Sequence, residues 1–495
     1  MAVPINGDAA RINGPALADL LGRWSTADGP LYRLLAGRVG RLADMGSLPA
    51  GTRLPPEREL AVALSVSRNT VAMAYQLLRD DGMAESRQGS GTRIVPHRTT
   101  PAATHRANGF FTSMLEASSG AIDLTLAAVD CAPQAAAALD DPSSVLGAAQ
   151  RRALTAGTGY HPYGLPELRA VIAAVLTARH GLPTAAEQVV ITTGAQQALD
   201  LLIRTEVVTG QAAVAEDPTF PGMLDALRRA GARPVGVPPG DVARLASVVT
   251  THGPALVYVI ATHQNPTGRT MPPADRQAVA ALAGRHPDVT FIDDVTLADL
   301  SLSDAPAPLP LAALAPGSPN VVTVGSLSKL YWGGLRVGWV RAPEPLIARL
   351  ARLLALHGLG GNIPGQLAAA ELLPSLAPLR RRRAAEWESR HDHLRALLAR
   401  HLPDWDVPPV RGGQTLWVRL PYGDGTSFAQ TALRHRVAVL PGTGLDASGR
   451  SEDHLRIHYL ATPADMTEAV HRLAGAWRAY RPPTARVTAP AAMSV

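Results

Sequence analysis

Lys329 is the only lysine among 495 residues; every other long basic side chain is an arginine. A bias toward Ala, Arg, Gly and Pro explains why lysine is scarce, but not why this one persists. Lysine is irreplaceable where a neutral primary amine must attack a carbonyl, because a guanidinium keeps its proton at accessible pH. A Schiff base with an aldehyde is the chemistry such a residue supplies, and pyridoxal 5'-phosphate is the cofactor that draws on it. Ser326 and Ser328 place hydroxyls just before the lysine, and Arg336, seven residues on, offers a planar fork suited to phosphate.

Other residues could complete such a site. Val189 to Thr192 reads as a strand, Thr193-Gly194 as a tight turn, and Ala195-Gln196-Gln197 as a helix start whose first N–H groups lack internal partners and so favour an anion. Phe220, in a loop after another strand, could stack on a pyridine ring or pack on the core. Val289 to Ile292 forms a strand ending in Asp293 and Asp294, one of which would pair with a pyridine nitrogen and keep it protonated. Val321, Val322 and Val324 make the buried strand that delivers the lysine. Strands and helices alternate across residues 121–480, which predicts an α/β sheet covered by helices.

The first hundred residues read differently. Leu31, Leu35, Val39 and Leu42 share one helical face; a short helix follows Pro55-Pro56; Ser67 is placed to cap a third helix, Arg68 to Asp80, that ends near Gly82. Two helices about a tight turn form a helix-turn-helix, and Met83 to Val95 reads as a two-stranded wing. This head spans residues 28–96, residues 97–120 read as a tether, 121–480 as the large domain, and 481–495 as a disordered tail.

The head resembles the winged helix-turn-helix of GntR-family regulators: Leu54-Pro55-Pro56-Glu57-Arg58-Glu59-Leu60-Ala61, then Val66-Ser67-Arg68-Asn69-Thr70-Val71, then Gly89-Ser90-Gly91-Thr92. The resemblance implies DNA contacts from Arg58, Ser67, Arg68, Thr70 and Arg87, with the backbone at Gly89 to Gly91 approaching the adjacent groove. Arginine suits the role because it pairs bidentately with guanine, whereas phosphate contacts only position the domain.

The larger domain resembles fold-type I, aspartate aminotransferase-like pyridoxal-phosphate enzymes. The resemblance rests on Ser326-Leu327-Ser328-Lys329, Gly334-Leu335-Arg336-Val337-Gly338 and Asn265-Pro266-Thr267-Gly268. It implies a mostly parallel central sheet with helices on both faces and a smaller carboxy-terminal α+β lobe. It implies cofactor contacts from Gly194, Ala195, Gln196, Phe220, Asn265, Ser326, Ser328, Lys329 and Arg336, with Asn265 on the 3'-oxygen. Asp293 matches the family position of the ring-nitrogen partner, 28 residues after Asn265 and 36 before Lys329, with Asp294 the alternative. Arg456, in Asp453 to Tyr459, would clamp a substrate or effector carboxylate.

The chain departs from that family where a tyrosine usually follows the aspartate, since Val295 and Thr296 stand there. Gly159 likewise stands where the neighbouring subunit's phosphate tyrosine is expected, beside Tyr160 and Tyr163. Both changes bear on proton transfer. Together the two segments resemble the MocR subfamily of GntR regulators. That implies a cytoplasmic, head-to-tail homodimer that binds double-stranded operator DNA and senses pyridoxal phosphate, an amino compound or both through a Schiff base at Lys329, with residual or no transaminase activity. The alternative is a working aminotransferase with an accessory DNA-binding domain.

Composition fits a globular chain, with 46% hydrophobic and 18% charged residues. Of the net charge of +6, half lies in residues 1–100, which hold 12 arginines against 9 acidic residues. The chain shows neither a signal-like amino terminus nor an apolar run of about 18 residues. The single Cys131 excludes an internal disulfide, and no Cys/His spacing points to a metal.

Overall fold

The computed structural model describes residues 11–25, 30–87, 91–95, 120–140 and 157–482. The expected tether, apart from Gly120, and the tail beyond residue 482 lie outside the described residues.

The head begins with α1 (Gly14–Leu21), capped by Asn13, whose Oδ1 accepts from the Ala16 N–H at 2.8 Å. It continues through α2 (Leu31–Asp44), α3 (Glu57–Ala63) and α4 (Arg68–Asp80) into β1 (Ala84–Arg87) and β2 (Gly91–Ile94), which pair antiparallel. Leu35, Val39, Leu60, Val71 and Leu78 close one core with Leu17, Leu21 and Trp24, so the head's core starts ahead of residue 28. Eight residues are too few for helical periodicity to declare α1.

The body opens with β3 (Ile122–Asp123), α5 (Pro133–Asp140) and α6 (Pro166–His180). The main run follows as β4 (Val189–Thr192), α7 (Ala195–Glu206), β5 (Ala212–Glu216), α8 (Pro221–Arg229), β6 (Arg233–Val237), α9 (Val242–His252), β7 (Leu256–Val259), α10 (Pro273–Arg285), β8 (Thr290–Asp294), α11 (Leu311–Leu314), β9 (Val321–Ser326) and β10 (Gly338–Arg341). These strands form one seven-stranded sheet in the order β4-β10-β9-β8-β7-β5-β6, with β10 antiparallel to both neighbours. Parallel strands bury both faces, and the side chains of β7 to β9 divide accordingly. Tyr258, Ile292, Val322 and Val324 join the core beneath α7 and α8, while Val257, Val259, Phe291 and Val321 join the core beneath α9, α10 and α11. The expected mostly parallel sheet is therefore present.

After α12 (Glu344–Gly358) and α13 (Ile363–Leu372), the 26-residue α14 (Leu376–His401) leads into the smaller lobe. This lobe consists of β11 (Thr415–Arg419), α15 (Gly425–Arg434), β12 (Val437–Ala438), β13 (Leu440–Pro441), β14 (His454–His458) and α16 (Pro463–Ala479). β11, β14 and β13 form an antiparallel sheet, and β12 pairs with β3. Head and body meet on α15: Arg434 donates to the carbonyls of Leu64 and Ser65 at 3.0 and 2.9 Å.

Candidate cofactor pocket and nucleic-acid interface

The carboxyl ends of β4, β8 and β9 and the turn into β10 lie together at one end of the sheet. There, Gly194 precedes α7 with φ +127°, a region L side chains rarely adopt. A Cβ there would sit 3.6 Å from Arg336 Nη2 and 3.9 Å from Ser326 Oγ, so glycine backbone, serine hydroxyl and guanidinium already converge. Ser326 Oγ also binds Ser328 Oγ at 3.0 Å and accepts from the Ser328 N–H at 3.2 Å. The start of α7 carries no side-chain cap among the described residues. Uncapped helix N–H groups, two hydroxyls and an arginine are a donor set that fits a phosphate dianion. The Gln196 side chain turns elsewhere and donates to the Gly222 carbonyl at 3.0 Å, which leaves only its backbone for the cradle.

Lys329 Nζ donates to the Ala127 carbonyl at 2.6 Å. Burial pushes the amine down to about 8, with help from the Arg456 charge and partial opposition from Asp294. A lysine so placed reaches the neutral form its chemistry needs.

The two aspartates of β8 separate onto opposite faces of the sheet, as consecutive strand residues must. Asp294 shares the face of Ile292 and Val324 and lies on the side of Lys329; its carboxylate accepts from the Tyr258 hydroxyl at 2.8 Å and the Thr296 N–H at 2.9 Å. Burial raises its pKa, while those bonds and Lys329 act against that rise. Asp293, expected to face the ring, instead lies on the face of Phe291 and Val321, where it accepts from the Leu311 N–H at 2.7 Å. Burial pushes it up to about 6. A spacing count carries over between chains only if the turn before the strand has the same length. Here the turn at His286 to Asp288 precedes β8, and the strand's alternation puts Asp294, not Asp293, on the side of Lys329.

Val295 and Thr296 occupy the positions where a tyrosine was expected, and Thr296 bonds Asp294 through its backbone N–H at 2.9 Å. Phe220 is half-buried at the start of α8 and packs against the main core. Asn265 Oδ1 accepts from Arg456 Nη1 at 3.2 Å, and Arg456 Nη2 donates to the Thr125 carbonyl at 2.6 Å. Arg456 is 3% exposed, and its buried Nε has no partner among the described residues. Burial pushes its pKa down to about 10, and burial likewise pushes His458, two residues along β14, down to about 4, so the imidazole is neutral. Sequence reasoning missed Tyr258. Its signal was a tyrosine inside the apolar strand Leu256–Val259, where a buried hydroxyl requires a partner.

On the head, the Ser67 hydroxyl accepts from the Thr70 N–H at 3.0 Å and bonds the Thr70 hydroxyl at 2.8 Å, fixing the start of α4. Arg68 is 73% exposed along its side chain and pairs with Glu57 at 3.1 Å. Arg58 is exposed on α3. Gly91 opens β2 at φ +78° with Arg53 beside it. Arg87 lies on β1, and Gly89 lies outside the described residues.

Comparison with known proteins agrees with this architecture. Residues 126–473 match the aminotransferase class I and II family, and residues 31–94 match the bacterial regulatory proteins of the gntR family. The class is therefore a GntR-type DNA-binding head fused to an aminotransferase-like body, a pyridoxal-phosphate fold. The chain is 30% identical over 399 residues to the probable rhizopine catabolism regulatory protein MocR of Rhizobium meliloti, covering 77% of this chain and 79% of that one. It is 30% identical over 388 residues to the pyridoxine biosynthesis transcriptional regulator PdxR of Corynebacterium glutamicum, covering 77% and 81%. The crystal structure of LysN, an α-aminoadipate aminotransferase of Thermus thermophilus complexed with N-(5'-phosphopyridoxyl)-L-leucine, superposes with a TM-score of 0.63 at 28% identity, covering 73% of this chain and 93% of that one. This chain belongs to the MocR subfamily of GntR-family regulators.

Proposed function

We propose that this regulator holds pyridoxal 5'-phosphate on Lys329, senses a carboxylate-bearing amino compound there, and reports its arrival to the DNA-binding head. The observation that carries the reading is a pair of basic groups close enough to act on each other, Arg456 buried and Lys329 half-buried. Lys329 supplies an amine with a lowered pKa, and Arg456 holds a buried Nε that lacks an acceptor among the described residues. Such a pair fits an aldehyde at one end and a carboxylate at the other.

The bound cofactor supplies an electrophilic aldehyde on an electron-withdrawing ring. The N–H groups at Gly194, Ala195 and Gln196, with Ser326, Ser328 and Arg336, take the phosphate. Phe220 covers the ring, Asn265 bonds its 3'-oxygen, and Asp294 keeps a proton on its nitrogen. Thr296 in place of a phenol leaves Lys329 short of a partner for moving protons, which favours sensing over turnover. Arg58, Ser67, Arg68, Thr70, Arg87, Gly89 and Gly91 are the DNA contacts in this reading, by resemblance to GntR heads, and the protein acts in the cytoplasm.

A head-to-tail homodimer presents two heads to paired half-sites. Support for it comes from an exposed apolar strip: Tyr160 is 63%, Leu356 84% and Leu359 48% exposed, and Gly360 packs against His161, which brings the two segments together.

Borohydride reduction of the loaded protein followed by peptide mass mapping tests the tether. A pyridoxyl group on the peptide containing Lys329 is expected, and its absence sinks the reading. Operator binding measured with and without amino acids tests sensing. Steady turnover of an amino donor at enzyme-like rates would favour the working aminotransferase instead.

A further inference from the structure

We infer that Arg23, in the segment following α1, is a positioning residue for the carboxylate clamp, acting on Arg456 through Thr125. The inference rests on the sensing role proposed above and adds the route by which the head takes part in it.

The connection is short. Arg23 Nη2 donates to the Thr125 hydroxyl at 2.7 Å and to Asp123 Oδ2 at 2.9 Å. Asp123 Oδ1 in turn accepts from the Thr125 N–H at 2.8 Å and the Thr125 hydroxyl at 2.7 Å, which locks residues 123–125 into one unit. Burial works to raise the Asp123 pKa, but the Thr125 bonds and the Arg23 charge outweigh it and hold the carboxylate ionised. The other side of that unit belongs to the clamp: the Thr125 carbonyl accepts from Arg456 Nη2, and the Asp123 carbonyl bonds His458 Nε2 at 2.9 Å. One residue of backbone thus separates the head's arginine from the clamp's arginine.

Arg23 is joined rigidly to the head. The next residue, Trp24, is part of the head's core, and its indole N–H donates to Gln430 Oε1 on α15 at 3.1 Å. A cavity of about 70 Å³ lies against this junction, lined by Asp19, Arg23, Thr125, Thr426, Gln430 and Leu433.

A carboxylate that takes the unpartnered Nε of Arg456 by the side edge of the guanidinium shares Nη2 with the Thr125 carbonyl. A shared donor holds each acceptor less firmly. The 123–125 unit then relaxes, and with it the seat of Arg23. Coupling of this kind is reciprocal: whatever loosens Arg23 must favour the carboxylate by the same factor.

The test uses the full-length protein and two stable ligands that differ in the carboxylate: N-(5'-phosphopyridoxyl)-L-leucine, which carries one, and pyridoxamine phosphate, which does not. Amide hydrogen exchange is followed across residues 14–24, and each ligand's dissociation constant is measured. In the wild type, the leucine adduct is expected to speed exchange in that segment about fivefold over pyridoxamine phosphate. In Arg23→Gln the segment exchanges fast with either ligand, and the leucine adduct binds about fivefold tighter than to wild type, while pyridoxamine phosphate binds both equally. Asp123→Asn should behave like Arg23→Gln, and Arg23→Lys should restore part of the wild-type difference. If both ligands bind but exchange and affinity ignore the carboxylate, this inference alone falls. If neither ligand binds the wild type, the cofactor reading falls and takes this inference with it.

Discussion

The cofactor pocket and the DNA-reading face both rely on arginine, in opposite surroundings. Arg456 is 3% exposed, held by the Thr125 carbonyl and Asn265, and stripped of water. Arg68 is 73% exposed along its side chain and held by one carboxylate, Glu57. In the pocket, charge acts through a low effective dielectric over fixed geometry, so one group's position sets another's protonation. On the reading face, water and salt screen each charge, and an exposed ion pair contributes at most about 1 kcal/mol. The signal therefore arises where electrostatics is strong and rigid, and is delivered where it is weak and tunable.

The sharpest way to break that contrast is Lys329→Arg. The substitution keeps the positive charge and nearly the volume but removes the deprotonatable amine. Retained cofactor after desalting should fall on the order of 100-fold, while the melting temperature changes little. Retention of a reducible, covalently held chromophore by this variant would mean that the pocket's chemistry does not depend on its single lysine.

A paired substitution sharpens the pocket side. Asp294→Asn should weaken pyridoxal phosphate binding about 30-fold, the cost of losing a charge-assisted bond in a buried site, whereas Asp293→Asn should leave it within about twofold. The reverse order would put the ring-nitrogen partner on the other face of β8. This pair also marks where the sequence stopped being legible. The lysine, the glycine turn and the helix-turn-helix could be read because each needs a particular residue type at a local spacing. Which of two adjacent aspartates faces the pocket depends on strand register, a property of the neighbours of β8. Tyr258 was hidden for the same reason, since its role is set by a partner 36 residues away. α1 was hidden by its shortness, and the Arg23 connection by a separation of 100 residues or more.

On the reading face, Arg68→Ala should weaken operator binding about tenfold and lower the slope of log affinity against log salt by about 1. Glu57→Gln should do the opposite, tightening binding about threefold at low salt by freeing Arg68 from its competitor, with the gain fading as salt rises. Neither change should alter cofactor retention. A salt-independent effect at Arg68 would mean that the reading face behaves like the pocket.

The smallest effect tests whether the body's buried carboxylates behave as their surroundings require. Glu216 is 6% exposed at the end of β5; its Oε2 accepts from the Ile260 N–H at 2.9 Å, and burial, with the nearby Asp293, pushes it up to about 8. A carboxyl whose folded pKa exceeds its unfolded value binds a proton that the unfolded chain does not. Its contribution to stability is full below the unfolded value, near 4.5, and drains away as pH rises through the folded value near 8. Asp293, at about 6, drains the same way over a lower window. Glu216→Gln keeps a carbonyl acceptor for the Ile260 N–H and removes the titration. The melting temperature of the variant should match wild type at about pH 4 and exceed it by on the order of 3 °C at about pH 9, with a flatter profile between. Because the group is buried, the difference should persist at high salt, unlike the Glu57→Gln effect on the head. An unchanged pH profile would show that Glu216 is ionised in the folded protein, and that the far face of the sheet is wetter than its packing implies.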